Sequence, residues 1–163
     1  MQPLFRAVAL ALVVWLVGAS AGPSAQTSDP SIGAWKLNLS KSKYEPGPLP
    51  KSLTRMDEDR GGGVKVVTVQ GVDAQGNPTW TQFAHKYDGK DYPYLVRGGQ
   101  TAGSISVKAV NANTVEITIK EDGKVVATAT RTVSADGKTM TRIAKGTNAQ
   151  GQAYTNVMVY ERQ

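Results

Sequence analysis

Nearly every periodic stretch of this chain repeats at every second residue, and that period restricts it to strands. Val115, Ile117 and Ile119 alternate with Thr114, Glu116, Thr118 and Lys120, as in a strand with one face in a core. Ile105, Val107 and Ala109 alternate with Ser104, Ser106 and Lys108, and Val125, Ala127 and Ala129 alternate with Val126, Thr128 and Thr130. Between such stretches stand Asn111-Ala112-Asn113, Asp122-Gly123, Asp136-Gly137, Gly76-Asn77-Pro78, Asp88-Gly89 and the segment 148–151, residues that tolerate the positive φ of tight turns. Turns this short join antiparallel neighbours, because a parallel crossover needs about a dozen residues. No ten-residue stretch after the first 21 residues carries a helical period.

Strands are expected at 34–38, 52–59, 64–72, 79–86, a short piece near Tyr92, 104–111, 114–121, 124–133, 139–145 and 153–161. An all-β meander of this length with one apolar face must close on itself or fold over to bury that face. The expected architecture is an antiparallel up-and-down β-barrel of about 8–10 strands, with a two-sheet β-sandwich as the alternative.

The first 21 residues are read as a signal peptide. A single positive charge, Arg6, precedes an apolar run over 7–17, too short for a membrane span, and Ala19-Ser20-Ala21 fits an A-x-A cleavage site. Cleavage after Ala25 is the second choice. The expected organisation is a signal peptide over 1–21 (or to 25), a disordered segment over 22–32 and one barrel domain over 33–163. The expected location is periplasmic or secreted. The absence of cysteine excludes disulfides, thiol chemistry and lipoprotein attachment, so burial alone must hold the fold together. Removing Arg6 leaves 18 basic against 13 acidic residues, about +5, dispersed along the chain. That dispersion reads as a solvated surface, with weak contact to an anionic envelope surface as the functional alternative. Nucleic acid is not an expected partner, since no basic-aromatic stripe appears.

Gly33-Ala34-Trp35-Lys36-Leu37-Asn38 opening the meander resembles the first strand of a lipocalin-like (calycin) barrel. The last third, from Arg131-Thr132-Val133-Ser134-Ala135-Asp136-Gly137-Lys138 to Val159-Tyr160-Glu161-Arg162, resembles the closing strands of fatty-acid-binding proteins. That resemblance implies a carboxylate-holding cation at Arg131 and a hydroxyl at Tyr160, while the family's second arginine corresponds to Met158. It also implies that Trp35 packs at the closed end of the barrel. Where that family has a two-helix lid, this chain has 40–51, with Pro46, Pro48 and Pro50, expected to be an extended, polyproline-like loop. The chain as a whole is similar to a group of exported bacterial proteins of unknown function that share the Trp35-Lys36-Leu37-Asn38, Lys41-Ser42-Lys43-Tyr44 and Pro46-Gly47-Pro48 segments.

Strand parity nominates the binding residues. Arg131 shares its face with Val125, Ala127, Ala129 and Val133, and Arg142 shares one with Met140 and Ala144. A cation placed inward needs an anionic partner, a ligand head group or water, unless a bulge turns it outward. Tyr154, Asn156, Met158 and Tyr160 share one face of the last strand and would form an amphipathic inner wall. The lone His85 reads as structural, and Asp57-Glu58-Asp59 as a charged strand end. Arg60-Gly61-Gly62-Gly63 has no following helix and reads as a hairpin turn. No serine stands in a nucleophile-elbow motif. The function expected is therefore monomeric binding of an apolar or amphipathic, lipid-like small molecule, with no catalytic residue, metal or cofactor. The alternatives are a side-chain-filled structural or interaction module of the cell envelope and, third, an enzyme of unknown reaction.

Overall fold

The computed structural model describes residues 29–148 and 150–163; the signal-peptide expectation lies outside them. The strands are β1 (Gly33–Leu37), β2 (Lys43–Glu45), β3 (Ser52–Asp59), β4 (Lys65–Val72), β5 (Pro78–His85), β6 (Asp88–Val96), β7 (Gln100–Ala109), β8 (Thr114–Glu121), β9 (Lys124–Val133), β10 (Thr139–Thr147) and β11 (Ala153–Arg162). All pairings are antiparallel, and each strand from β3 onward pairs with its successor. β1 pairs with β3 on one side and with β11 on the other. The sheet therefore closes into a ten-strand barrel with β2 as an extra strand on β11, which rules out the sandwich.

The alternation read from the sequence sets which face is inside. In β9, Ala127, Ala129, Arg131 and Val133 are buried while Thr128, Thr130 and Thr132 are exposed. Trp35, Leu37, Val67, Phe83, Ile105, Val107, Ile117, Met140, Met158 and Tyr160 complete much of the core. Burying side chains of this size is worth about 1.5–3 kcal/mol each, and a chain without disulfides depends on that term.

Three stretches differ from expectation. The segment 40–51 is not loop throughout: a single 3-10 turn at Leu39–Lys41 leads into β2, which pairs Tyr44 with Asn156 and packs the tyrosine on the core. The prolines begin only after that strand, so they do not block it. β6 is nine residues long, not a short piece near Tyr92. It pairs with β7 along most of its length and with β5 at only Val96, Leu95 and Tyr94. Pro93 has no N–H to give, and the β5 ladder stops where it enters. Finally, order begins before Gly33. Ser31 is buried, Asp29 accepts from its backbone and hydroxyl, and Tyr87 donates to Asp29 Oδ2 at 2.6 Å.

The barrel has two dissimilar ends. The lower end gathers the start of β1, the turns at 60–64, 86–88 and 110–114, and the last residues of β11. The upper end gathers β2, the proline loop and the β4–β5, β6–β7, β8–β9 and β10–β11 turns. Strands cross closely at the upper end. A Cβ on Gly71 or Gly103 would lie 2.1 Å from a neighbouring backbone oxygen (Ser52 O and Lys120 O), so both positions need glycine for close approach.

Candidate functional site

The lower half of the interior is filled by a charged cluster. Arg55 and Asp57, two apart on β3, point to the same side by strand geometry and are both buried. Arg55 grips Asp57 with two contacts, Nε to Oδ1 at 2.7 Å and Nη2 to Oδ2 at 2.8 Å. Arg131 reaches the same carboxylate, Nη1 to Oδ2 at 3.1 Å, and donates through Nη2 to Tyr87 Oη at 3.0 Å. Tyr87 passes the chain of bonds to Asp29. Lys65 lies between Asp59 and Asp29. Burial opposes charge on Arg55, but the charge and hydrogen bonds of Asp57 outweigh it and raise the guanidinium pKa further.

His85 is buried beside this cluster, between the rings of Phe83 and Tyr87. Its Nδ1 stands 3.2 Å from Lys86 O. Burial pushes its pKa down to about 4, with the positive Arg131 and Arg55 adding to the shift. Trp35 is fully buried, donating to Ser31 O at 2.8 Å, with the Arg162 guanidinium 4.2 Å from its ring centre. An open funnel outside the cluster is bordered by Asp29, Lys65, Tyr87 and Arg131, and by the 61–63 and 111–113 turns.

The upper half holds a partly open cavity of about 260 Å³. Leu53, Val69, Phe83, Ile105, Ile117 and Ile119 form an apolar wall, and Arg55, Thr81, Tyr94, Arg142, Met158 and Tyr160 complete it. Arg142 pairs with no carboxylate among the described residues. Its contact is Nη1 to Met158 Sδ at 3.8 Å. Tyr160 Oη points to the same sulfur, also at 3.8 Å. Burial lowers the Arg142 pKa and the like charge of Arg55 lowers it further, against the raising effect of Tyr160, Tyr154 and Tyr44. Burial raises the Tyr160 hydroxyl.

The structure thus divides the residues nominated by parity. Arg142, Met158 and Tyr160 come together on the cavity wall. Tyr154 packs against the core from further up the same face of β11, and Asn156 stands opposite Tyr44 on one side and Ala144 on the other. Arg131 faces inward as its parity requires, yet it is tied to Asp57 and borders the lower funnel, not the cavity. Asp57 is no strand-end charge but the buried hub of that cluster. Arg55, Asp57, Phe83 and Tyr87 were not nominated. The available signal was parity: Leu53, Arg55 and Asp57 share one face of β3, and Met56 on the other face obscured it by being the exposed residue. Among the described residues no group of three or more histidine, aspartate or glutamate side chains is placed to hold a metal.

No protein-family model and no curated protein matches the chain. Solved structures match at the level of fold. Fluorescent protein UnaG, wild type, is 15% identical over 82% of this chain and 97% of its own, with a TM-score of 0.52. Rv2717c from M. tuberculosis is 14% identical over 87% of this chain and 98% of its own, with a TM-score of 0.55. The closed antiparallel barrel is calycin-like, as the opening and closing strands implied.

Proposed function

We propose that this protein is an exported, monomeric binding protein that holds an apolar or amphipathic, lipid-like small molecule inside its barrel, in the periplasm or outside the cell. The observation that carries the reading is the upper cavity: an apolar wall with a few polar groups converging on one side. Binding sites for small molecules have that composition. At the packing density of protein interiors its volume suits a compact body of about ten to twelve non-hydrogen atoms. Mechanism in this reading is passive. Leu53, Val69, Phe83 and the three isoleucines supply affinity by leaving water, and the polar side fixes orientation. It makes the chain a carrier or receptor and not an enzyme.

The test is native mass spectrometry of the mature protein purified from its own host, run beside a denatured sample, followed by calorimetric titration with 1-octanol. A small molecule released on denaturation, or saturable octanol binding, supports the reading. Neither result would return the barrel to a side-chain-filled structural module of the envelope.

A further inference from the structure

We propose that Met158 is a modification site: its sulfur takes one oxygen atom from hydrogen peroxide, and Arg142 and Tyr160 hold the resulting sulfoxide. The inference goes beyond the binding reading above and does not depend on it.

Three observations carry it. First, Met158 stands where a small oxidant can arrive. Its exposure is only 4%, yet it lies on the wall of the partly open upper cavity. Met140 is fully buried and takes no part in that wall, while Met56 is 43% exposed on the outer face of β3. The molecule thus carries its own closed and open controls.

Second, the sulfur faces two donors. Arg142 and Met158 are directly opposite on β10 and β11, and Arg142 Nη1 stands 3.8 Å from Met158 Sδ. Tyr160 Oη turns to the same atom, also at 3.8 Å. A thioether is a weak acceptor, so neither donor is well served. A sulfoxide oxygen is a strong acceptor with a large partial negative charge. Added to this sulfur on the donor side, it comes within reach of both groups, and one of the two bonds is charge-assisted. Methionine oxidation ordinarily disrupts a core by burying a polar group without partners. Here the partners already stand beside the sulfur.

Third, the same donors suit the transfer step. The sulfur lone pair attacks one peroxide oxygen, an S–O bond forms and the O–O bond breaks. Sulfur loses two electrons and the departing oxygen gains them. That oxygen takes the proton left on the transferred one and departs as water. Negative charge develops on it as the O–O bond breaks, and Arg142 and Tyr160 supply hydrogen bonds that water would give in solution.

The experiment treats the mature protein with hydrogen peroxide and follows each methionine by peptide mass mapping. The expected result is oxidation of Met158 at least tenfold faster than Met140 and within about threefold of the exposed Met56. In Arg142→Leu and in Tyr160→Phe, Met158 slows by about threefold or more while Met56 is unchanged. In a Met56→Leu background, protein oxidised at Met158 melts about 3–6 °C higher than unoxidised protein, and adding Arg142→Leu removes the gain. A rate at Met158 no greater than that at Met140 overturns the inference. A lowered melting temperature on oxidation of Met158 overturns the two donors as holders of the sulfoxide. Rates unchanged in both variants overturn their part in the transfer. If Arg142→Leu does not fold, Tyr160→Phe decides by the same comparison of rates.

Discussion

Arg131 on β9 and Arg142 on β10 stand directly opposite one another on the inner face of the barrel. Like charges in that relationship destabilise a sheet, so each needs its own compensation. Arg131 has Asp57, contributed by a strand 74 residues earlier in the chain. Arg142 has a methionine sulfur.

Asp57 is therefore the residue whose loss costs most. Asp57→Asn leaves Arg55 and Arg131 buried together without a counter-charge, and the expected loss is about 3–5 kcal/mol in urea unfolding. Arg131→Met leaves Asp57 gripped by Arg55 and removes the cation facing Arg142, so its loss should be smaller, about 1–2 kcal/mol. The reverse order would show that Asp57 is not the hub.

His85 should make the protein acid-sensitive above the range of ordinary carboxylates. Its folded pKa is about 4 against 6.5 for the free side chain, so the unfolded chain takes up a proton that the folded one does not. Stability is then full above pH 6.5 and declines as pH falls from 6.5 to about 4, by about 3 kcal/mol from this residue. Below that the contribution levels off. Urea midpoints measured across pH 7 to 4 should show the decline, and His85→Gln should flatten it.

Arg162 acts as a clamp at the lower end. Its Nη1, Nη2 and Nε donate to Ile32 O, Pro30 O and Gly137 O at 2.6–2.7 Å, and its guanidinium covers the Trp35 ring. Arg162→Ala should lower stability by about 1–3 kcal/mol. It should also speed amide hydrogen exchange at Trp35 and Leu37 more than at β7 and β8, as followed by NMR.

Filling the upper cavity should abolish binding without unfolding the barrel. Ile119→Phe adds volume to a partly buried wall residue, at a cost of about 1–3 kcal/mol from overpacking. The expected outcome is a tenfold or greater loss of octanol affinity with an unchanged far-ultraviolet circular dichroism spectrum.

Closing the upper end depends on missing side chains as much as on present ones. Gly103→Ala would set a methyl group against Lys120 O and the Tyr94 ring. The expected result is a loss of about 1–3 kcal/mol, read as a lowered melting temperature.

The barrel was legible because period-two alternation and short turns act locally, and β3, β8 and β9 appear with the expected bounds. β2 was hidden because three residues carry no measurable period and its pairing with β11 is a long-range event. β6 was shortened because its charges and Pro93 break the alternation, and pairing with β7 supplies what the pattern lacks. Parity nominated Arg142 on one strand and Met158 and Tyr160 on another, and the structure brings them to one wall. Parity could not say which arginine would meet Asp57, because alternation gives the face of a strand and not the direction in which a long side chain leaves it. That choice depends on β3, which reaches the far end of β9 only once the sheet has closed.

Closure itself is a meeting of the first and last strands. β1 and β11 pair Trp35 with Arg162, and Arg162 reaches back to Pro30 across 132 positions. The meander can form neighbour by neighbour, but the ring is complete only when the last strand arrives. A polypeptide stopped short of Tyr160 would be an open sheet with two unprotected edges, a template for self-association. β11 thus decides whether the rest stays free of self-association.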